Sequence, residues 1–254
     1  MTNLLRSLFG AVLLLTGITS YAGAANVTPG VIFGSGNANG DFTVDRQNGI
    51  EIGLRAKQRY PAANVFNYDG VDTYTFEAGR AADTPSGAGQ NPSRPLWNFE
   101  WSINTDFDGT SGRKLNDVNY LLLASFTPTG GINQGTFAFD PINTAYADHA
   151  LGTNLTTSAT KIIAGSGSEY ATLISQNNVA QNSWSMHWFD ALFDPTATGI
   201  YTLRLLANDV NGILADTSIN IAVTAVPLPA ALPLYAAGVA ILGFFGWRRR
   251  QKTT

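Results

Sequence analysis

The side chains best placed for chemistry lie in one short polar segment near the middle of the chain. Asn104, Asp106 and Asp108 occupy alternate positions, and Gly109 follows them. Oxygen ligands at positions 1, 3 and 5 with glycine at position 6 form the first half of a calcium loop. Position 12 is Leu115, where such a loop needs a bidentate glutamate. Asp, Asn and Gly also supply turn geometry without an ion. We therefore predict a hairpin turn, with a calcium site at Asn104, Asp106 and Asp108 as the alternative.

Histidine and cysteine offer few further routes to a reactive centre. The chain has no cysteine and two histidines, His149 and His187, which are far apart in sequence and make a zinc site unfavourable. Asp148 precedes His149, but neighbours in an extended chain point to opposite faces, so we do not expect them to pair. His187 is predicted to lie on a strand over residues 182–193 and to face solvent. No nucleophile-elbow pattern marks a serine for a Ser-His-Asp triad.

Carboxylate pairs and aromatic side chains bear on sugar chemistry. A glycosidase needs two carboxylates roughly 5 to 10 Å apart, and residues 25–225 contain four glutamates. Glu100 alternates with Trp97 and Trp101, so it faces away from them and no aromatic-walled groove is implied. A carbohydrate-binding module needs only exposed aromatic and hydrogen-bonding side chains and stays open as an alternative. We predict a protein that is not an enzyme and has no catalytic residues, metal or cofactor.

Charge is distributed unevenly along the 254 residues. Between residues 25 and 225, 10 Lys and Arg stand against 18 Asp and Glu, a net charge of about −8; the other five cations lie near the termini. An acidic body argues against nucleic acid as a partner, because phosphate binding needs basic surface. It also predicts repulsion of anionic polymers unless a divalent cation intervenes.

Without cysteine, an exported domain must be held together by its core alone.

Residues 1–24 have the pattern of a secretory signal peptide. Arg6 precedes an apolar run, and Ala22 and Ala24 fit an A-x-A cleavage site. We predict cleavage after Ala24 or Ala25, with an uncleaved membrane helix as the alternative.

The C-terminal residues 226–254 combine three features in order. The proline motif comes first, residues 230–247 form 18 uncharged positions, and Arg248, Arg249, Arg250 and Lys252 follow. A helix of 18 residues is about 27 Å long, close to the roughly 30 Å hydrocarbon core of a bilayer. Arginine clusters stay on the cytoplasmic side. We predict a transmembrane helix over 230–247 with its C-terminus in the cytoplasm; a buried core helix is the alternative.

This order resembles the PEP-CTERM sorting signal, with Leu228 at the place of the usual glutamate. Proteins with this signal are exported by Gram-negative bacteria, held briefly in the inner membrane and cut by an exosortase near the proline motif. They are released to the cell surface or to an extracellular polymer matrix. The resemblance implies an exosortase and the export machinery as partners. It assigns cleavage to the motif Val226, Pro227, Leu228 and Pro229, and orientation to Arg248, Arg249 and Arg250.

Between the two terminal signals, period-two alternation predicts a mainly β domain. The strongest case is 97–104, where Trp97, Phe99, Trp101 and Ile103 share one face that we expect to be the core. Ser166 and Glu169 form a capping-box pattern that predicts one short helix. Further strands are predicted at 31–33, 50–57 (half-buried), 71–77, 115–126, 135–139, 154–164, 182–193, 199–208 and 218–226. Short strands separated by turns indicate an antiparallel β-sandwich or jelly-roll-like ectodomain over 25–225.

Taken together, these features predict an exported structural or interaction protein of the cell surface or extracellular matrix. It would be anchored transiently in the inner membrane and processed by an exosortase. A module that binds exopolysaccharide and a permanently anchored envelope protein are the alternatives.

Overall fold

The computed structural model describes residues 40–157 and 159–226, together with Val239. This part contains ten strands and one α-helix, α1 (Gly167–Gln176). The strands in chain order are β1 (Thr43–Gln47), β2 (Ile50–Gln58), β3 (Thr73–Glu77), β4 (Trp97–Asn104), β5 (Asn119–Pro128), β6 (Gln134–Phe139), β7 (Ala150–Gly152), β8 (Val179–Trp184), β9 (Gly199–Asp209) and β10 (Gly212–Thr224). Four short 3₁₀ turns lie at Ala81–Asp83, Pro85–Gly87, Leu115–Asp117 and Met186–Trp188.

The strands form two five-stranded sheets. Sheet A has the order β1-β2-β4-β8-β7, and all its pairs are antiparallel. Sheet B has the order β3-β10-β9-β5-β6, in which β3 and β10 are parallel and the other pairs antiparallel. The prediction of a mainly β protein is confirmed. The antiparallel arrangement predicted for it holds in sheet A but not in sheet B, where β3 and β10 are parallel.

One hydrophobic core lies between the sheets. The alternating residues Trp97, Phe99, Trp101 and Ile103 of β4 are all buried in it, as predicted. Residues of sheet B enter the same core: the ring centroids of Trp97 and Tyr201 lie 5.3 Å apart. Successive side chains of a strand point to opposite faces, so every second residue of β4 reaches the core.

The prediction that strand 50–57 is half-buried is wrong, because β2 and its neighbour β4 are buried on both faces. The face of sheet A that points away from the core is polar and charged. It includes the buried residues Glu51, Arg55, Lys57, Asn98, Glu100, Ser102, Asn104, Gln181 and Ser183. Alternation separates the two faces of a strand but does not tell whether the second face is covered. Polar side chains tolerate such burial when they pair with one another.

Three strand predictions need correction. The predicted strand 154–164 is wrong: Thr153 and Thr157 form local hydrogen bonds with Thr156 and Thr160, Ile162 forms an isolated bridge with Leu151, and the strand in this region is β7 instead. The predicted strand 115–126 begins as a 3₁₀ turn before β5. The predicted strand 182–193 ends at Trp184, where the chain enters the turn Met186–Trp188. Thr and Asn side chains compete for backbone groups, which favours turns over strands.

Helix α1 confirms the capping prediction. Ser166 is its N-cap, and its hydroxyl accepts a hydrogen bond from the backbone N–H of Glu169 at 3.3 Å. Glu169 Oε2 in turn accepts from the backbone N–H of Gly165 at 2.7 Å. The first bond satisfies a donor that the first turn of a helix leaves open, and the second holds the residue before the N-cap.

Several predictions fall outside the residues that the structure describes. These are the signal peptide 1–24 with Ala22, Ala24 and Ala25, the strand at 31–33, and residues 227–254 apart from Val239. Within the described ranges, no helix has both the length and the apolar character needed to cross a membrane.

Candidate functional site

The polar segment at Asn104–Asp108 forms a turn built on its own side chains. Asp106 Oδ1 accepts hydrogen bonds from the backbone N–H groups of Ser111 at 2.9 Å and Gly112 at 3.0 Å. It also accepts from the Ser111 hydroxyl at 3.1 Å. Asp108 Oδ1 accepts from the backbone N–H and hydroxyl of Thr110, and these bonds lower the pKa of Asp108. The carboxylates therefore fix a turn, as short acidic side chains commonly do. The prediction of a hairpin is wrong, because β4 belongs to sheet A and the next strand, β5, belongs to sheet B.

Asn104 joins this turn to neighbouring segments rather than to the two carboxylates. Its Oδ1 accepts from Asn178 Nδ2 at 2.8 Å, and its Nδ2 donates to Asn154 Oδ1 at 2.9 Å. Among residues 40–157 and 159–226, no three histidine or acidic side chains converge as a metal site would require.

His149 is a buried structural residue. Its ring lies 4.8 Å from that of Trp101, and its Nε2 donates to the carbonyl of Pro141 at 2.7 Å. Its Nδ1 lies 3.0 Å from the amide Nδ2 of Asn182, which also donates to Asp148 Oδ1 at 3.0 Å. Asn182 thus joins the two neighbouring side chains without a direct contact. Burial lowers the pKa of His149 to about 4, against the weaker effects of the Pro141 carbonyl and Asp148.

His187 lies in the turn Met186–Trp188 and not on a strand, so the prediction of a solvent-facing strand position is wrong. It is half-buried, and its Nδ1 lies 2.8 Å from the hydroxyl of Ser185. Burial and the nearby Arg94 lower the pKa of His187. The same turn buries Met186 fully and leaves Trp188 52% exposed.

Glu100 contacts two cations on the polar face of sheet A. Arg55 Nε lies 2.5 Å from Glu100 Oε2, and Lys57 Nζ lies 2.6 Å from Oε1. The rings of Phe42 and Phe66 lie 4.1 and 4.7 Å from the Arg55 guanidinium carbon. The three charged side chains carry a net charge of +1, because one carboxylate serves two cations.

A cavity of about 460 Å³ opens beside this buried cluster. Lys57, Arg59, Tyr60, Asn64 and Ser86 line it. Lys57 Nζ donates to Asn64 Oδ1 at 3.1 Å, so the lysine connects the buried cluster to the cavity wall. The side chain of Arg59 is exposed. This cavity has two cations and no carboxylate in its wall.

Arg94 extends the cationic surface from the cavity to an exposed indole. Its Nη1 donates to Tyr60 Oη at 3.3 Å and to Gln90 Oε1 at 2.7 Å. Its guanidinium carbon lies 5.6 Å from the ring centroid of Trp188. Burial raises the pKa of Tyr60, but hydrogen bonds from Arg94 and Arg59 outweigh it and the net shift is downward.

We call Lys57, Arg59, Tyr60, Arg94 and Trp188 the cationic corner. Within the described ranges, neither Arg59 nor Arg94 forms a salt bridge with a carboxylate. A second cavity of about 480 Å³ lies beside the first, and Pro61 lines both. The second cavity is less cationic, because its wall includes Glu77 together with Gln58 and Asn67.

Sequence reasoning missed the cationic corner because its residues come from three segments that only the fold brings together. One signal was present: Arg55, Lys57 and Arg59 occupy alternate positions and so share one face of an extended chain. These are three of the 10 cations between residues 25 and 225.

The predicted sorting residue Val226 is 57% exposed and lies just beyond the end of β10.

No protein-family model, curated protein or solved structure matches this chain.

Proposed function

We propose that this protein is an exported structural or interaction component of the cell surface or extracellular matrix. It reaches that location by way of a cleaved signal peptide and a transient inner-membrane anchor that an exosortase removes. The two-sheet body acts outside the cell as a β-sandwich ectodomain, and the C-terminus of the anchor faces the cytoplasm. No enzymatic activity is proposed for it.

The order of features at the C-terminal end carries this proposal. The proline motif, the 18 uncharged positions and the arginine cluster follow one another without interruption. Proline keeps its segment extended and free of helix, which suits a substrate entering a protease cleft. The apolar helix would hold that segment at the outer membrane face, and Arg248, Arg249 and Arg250 would set the orientation.

The body ends where the sorting segment begins, which supports the same proposal. Strand β10 pairs with β3 up to Thr224, and Val226 is already exposed. A cut close to Val226 would leave both sheets with all their strands. Release by proteolysis is therefore compatible with a folded product.

Intact mass of the protein from the medium and the membrane of its native host tests the proposal. We expect a released species that begins after Ala24 or Ala25 and ends near residues 226–230. A membrane species that keeps residues 248–254, with none released, would show a permanent anchor instead. A cytoplasmic species that keeps residues 1–24 would contradict export altogether.

Carbohydrate binding is the second candidate function, and the exposed Trp188 favours it. Trp188 is 52% exposed and lies beside Arg94, which donates to Tyr60 in the wall of a cavity, so an apolar surface has hydrogen-bonding groups nearby. We expect the released protein to bind the polysaccharide of its own matrix. If Trp188→Ala leaves polysaccharide binding unchanged, the protein binds the polysaccharide at a surface other than the cationic corner.

A further inference from the structure

We propose that the cationic corner binds the carboxylate group of an acidic sugar within a polysaccharide. The inference rests on the second candidate function, carbohydrate binding. It names the ligand class as a polymer that contains hexuronic acid. The cavity lined by Lys57, Arg59 and Tyr60 would take the acidic residue, and the neighbouring cavity across Pro61 would take the next sugar.

Local charge at this corner opposes the charge of the whole body. The residues 25–225 carry a net charge of about −8, yet the cavity wall has Lys57 and Arg59 and no acidic side chain. Lys57 contacts Glu100, but Glu100 also contacts Arg55, so the one carboxylate faces two basic side chains. Burial lowers the pKa of Lys57, Glu100 opposes that shift, and an anion in the cavity would favour the protonated lysine further. An anionic group entering the cavity therefore meets attraction from partly desolvated cations, where charge interactions are stronger than in water.

Arg59 and Arg94 retain hydrogen-bonding capacity for a carboxylate. Arg94 uses Nη1 for its contacts with Tyr60 and Gln90, and neither of these hydrogen bonds involves its Nη2. Arg59 is exposed and forms no salt bridge with a carboxylate of the described ranges. A carboxylate accepts hydrogen bonds only, and the planar guanidinium matches its two oxygens.

The other groups at the corner suit a ring with hydroxyl groups better than an acidic peptide. The Asn64 amide, the Ser86 hydroxyl and the Tyr60 hydroxyl combine donors and acceptors, as sugar hydroxyls require. Trp188 offers an exposed apolar face. Extended peptides commonly bind by adding a strand to a sheet edge through backbone bonds, whereas this corner offers side chains around two cavities. A volume of about 460 Å³ lies within the range of small-ligand sites.

Calorimetric titration of the released protein with an oligomer of mannuronic acid tests the inference. The matched ligand is the same oligomer after reduction of its carboxyl groups to neutral alcohols. We expect the acidic oligomer to bind at least about tenfold more tightly than the neutral one, and more weakly as ionic strength rises. The variant Arg59→Gln should weaken binding of the acidic oligomer about tenfold and leave the neutral one unchanged.

Lys114→Gln is the matched control variant. It removes one positive charge next to Arg113, whose carbonyl accepts from Thr105 just beyond the Asn104 end of β4, whereas the cationic corner lies near the Trp97 end of the same strand. We expect its affinity for the acidic oligomer to stay within about twofold of the native protein. The variant Arg94→Gln is a second test of the cationic corner. Because Arg59 is exposed, Arg59→Gln removes its charge without disturbing the fold.

Each contrary result has a distinct meaning. Equal affinity for the acidic and reduced oligomers would overturn the acidic-sugar inference and leave carbohydrate binding standing. Equal binding of poly-glutamate, with the same loss in Arg59→Gln, would show an anion site that does not recognise sugar and would overturn the inference. Binding of neither oligomer by the native protein would contradict carbohydrate binding as well; the proposal of export is tested separately by mass.

Discussion

At the level of single residues, Glu100 is a buried carboxylate that holds two cations. It lies at 0% exposure and contacts both Arg55 and Lys57 within 2.6 Å. Removing one member of a buried ion pair leaves an uncompensated charge, which commonly costs about 3–5 kcal/mol. We expect Glu100→Gln to lower the free energy of unfolding by that amount, measured by urea denaturation.

Glu77→Gln is the control for this change, because Glu77 is exposed at the end of β3. Exposed substitutions commonly change stability by no more than about 0.5 kcal/mol. A loss in Glu100→Gln as small as that of the control would mean that water reaches the Arg55–Glu100 pair.

His149 makes stability depend on pH below neutrality. Burial lowers the pKa of His149 to about 4, whereas an unfolded histidine has a pKa of about 6.5. Between those values the unfolded state binds the extra proton, so the free energy of unfolding rises with pH. We expect a loss of about 3 kcal/mol as pH falls from 6.5 to 4. Denaturation at a series of pH values, with NMR titration of the imidazole, measures it.

The two histidines can be separated by substitution. His187 is less buried, and its lowered pKa adds to the slope with the same sign. His149→Gln should remove most of the slope and His187→Gln only a small part. A native imidazole of His149 that titrates near its unfolded pKa would contradict the buried, neutral state.

At the level of elements, the turn after β4 depends on one carboxylate oxygen. Asp106 Oδ1 accepts from two backbone N–H groups and one hydroxyl. We expect Asp106→Ala to lower the free energy of unfolding by about 1–3 kcal/mol, and Asp106→Asn by less, because the amide oxygen still accepts.

Calcium should leave Tm unchanged in the native protein. A rise of several degrees with millimolar calcium, lost in Asp106→Asn, would show a calcium site instead.

Secondary-structure prediction succeeded where the residue pattern marked one face of a strand or the start of a helix. In β4 the aromatic residues marked the core face, and in α1 the Ser166 cap marked the start of the helix. It failed for 182–193, because Ser185 and Met186 accept hydrogen bonds from the turn that follows. Such local backbone bonds end the strand, and no residue pattern in the sequence predicts them.

At the level of the whole molecule, the arginine cluster is proposed to determine orientation. We expect replacement of Arg248, Arg249 and Arg250 by Ser to reduce membrane retention or exosortase processing, because positive charges keep a segment on the cytoplasmic side. Cell fractionation with intact mass analysis measures both effects. Replacement of the same residues by Lys is the matched control and should preserve the native result. Unchanged fractionation and processing in the Ser variant would contradict the proposal.

Net charge and local charge differ in this protein. The sequence alone predicted repulsion of anionic polymers by a body of net charge about −8. The fold concentrates cations at one corner and keeps other arginines in pairs elsewhere, as in Arg204 with Asp216 and Arg113 with Asp209. Screening shortens the reach of distant charges to about 10 Å at moderate salt, so a ligand at the corner responds mainly to Lys57, Arg59 and Arg94.

The sequence by itself determined the β class, the core face of β4 and the cap of α1, because alternation and capping depend on residues close together in the chain. Only the tertiary structure decided that the second face of sheet A is buried and that Glu100 holds Arg55 and Lys57 there. It also decided that Tyr60, Arg94 and Trp188 meet. Those contacts join positions 34 to 94 residues apart, and no local pattern encodes a contact over such a distance.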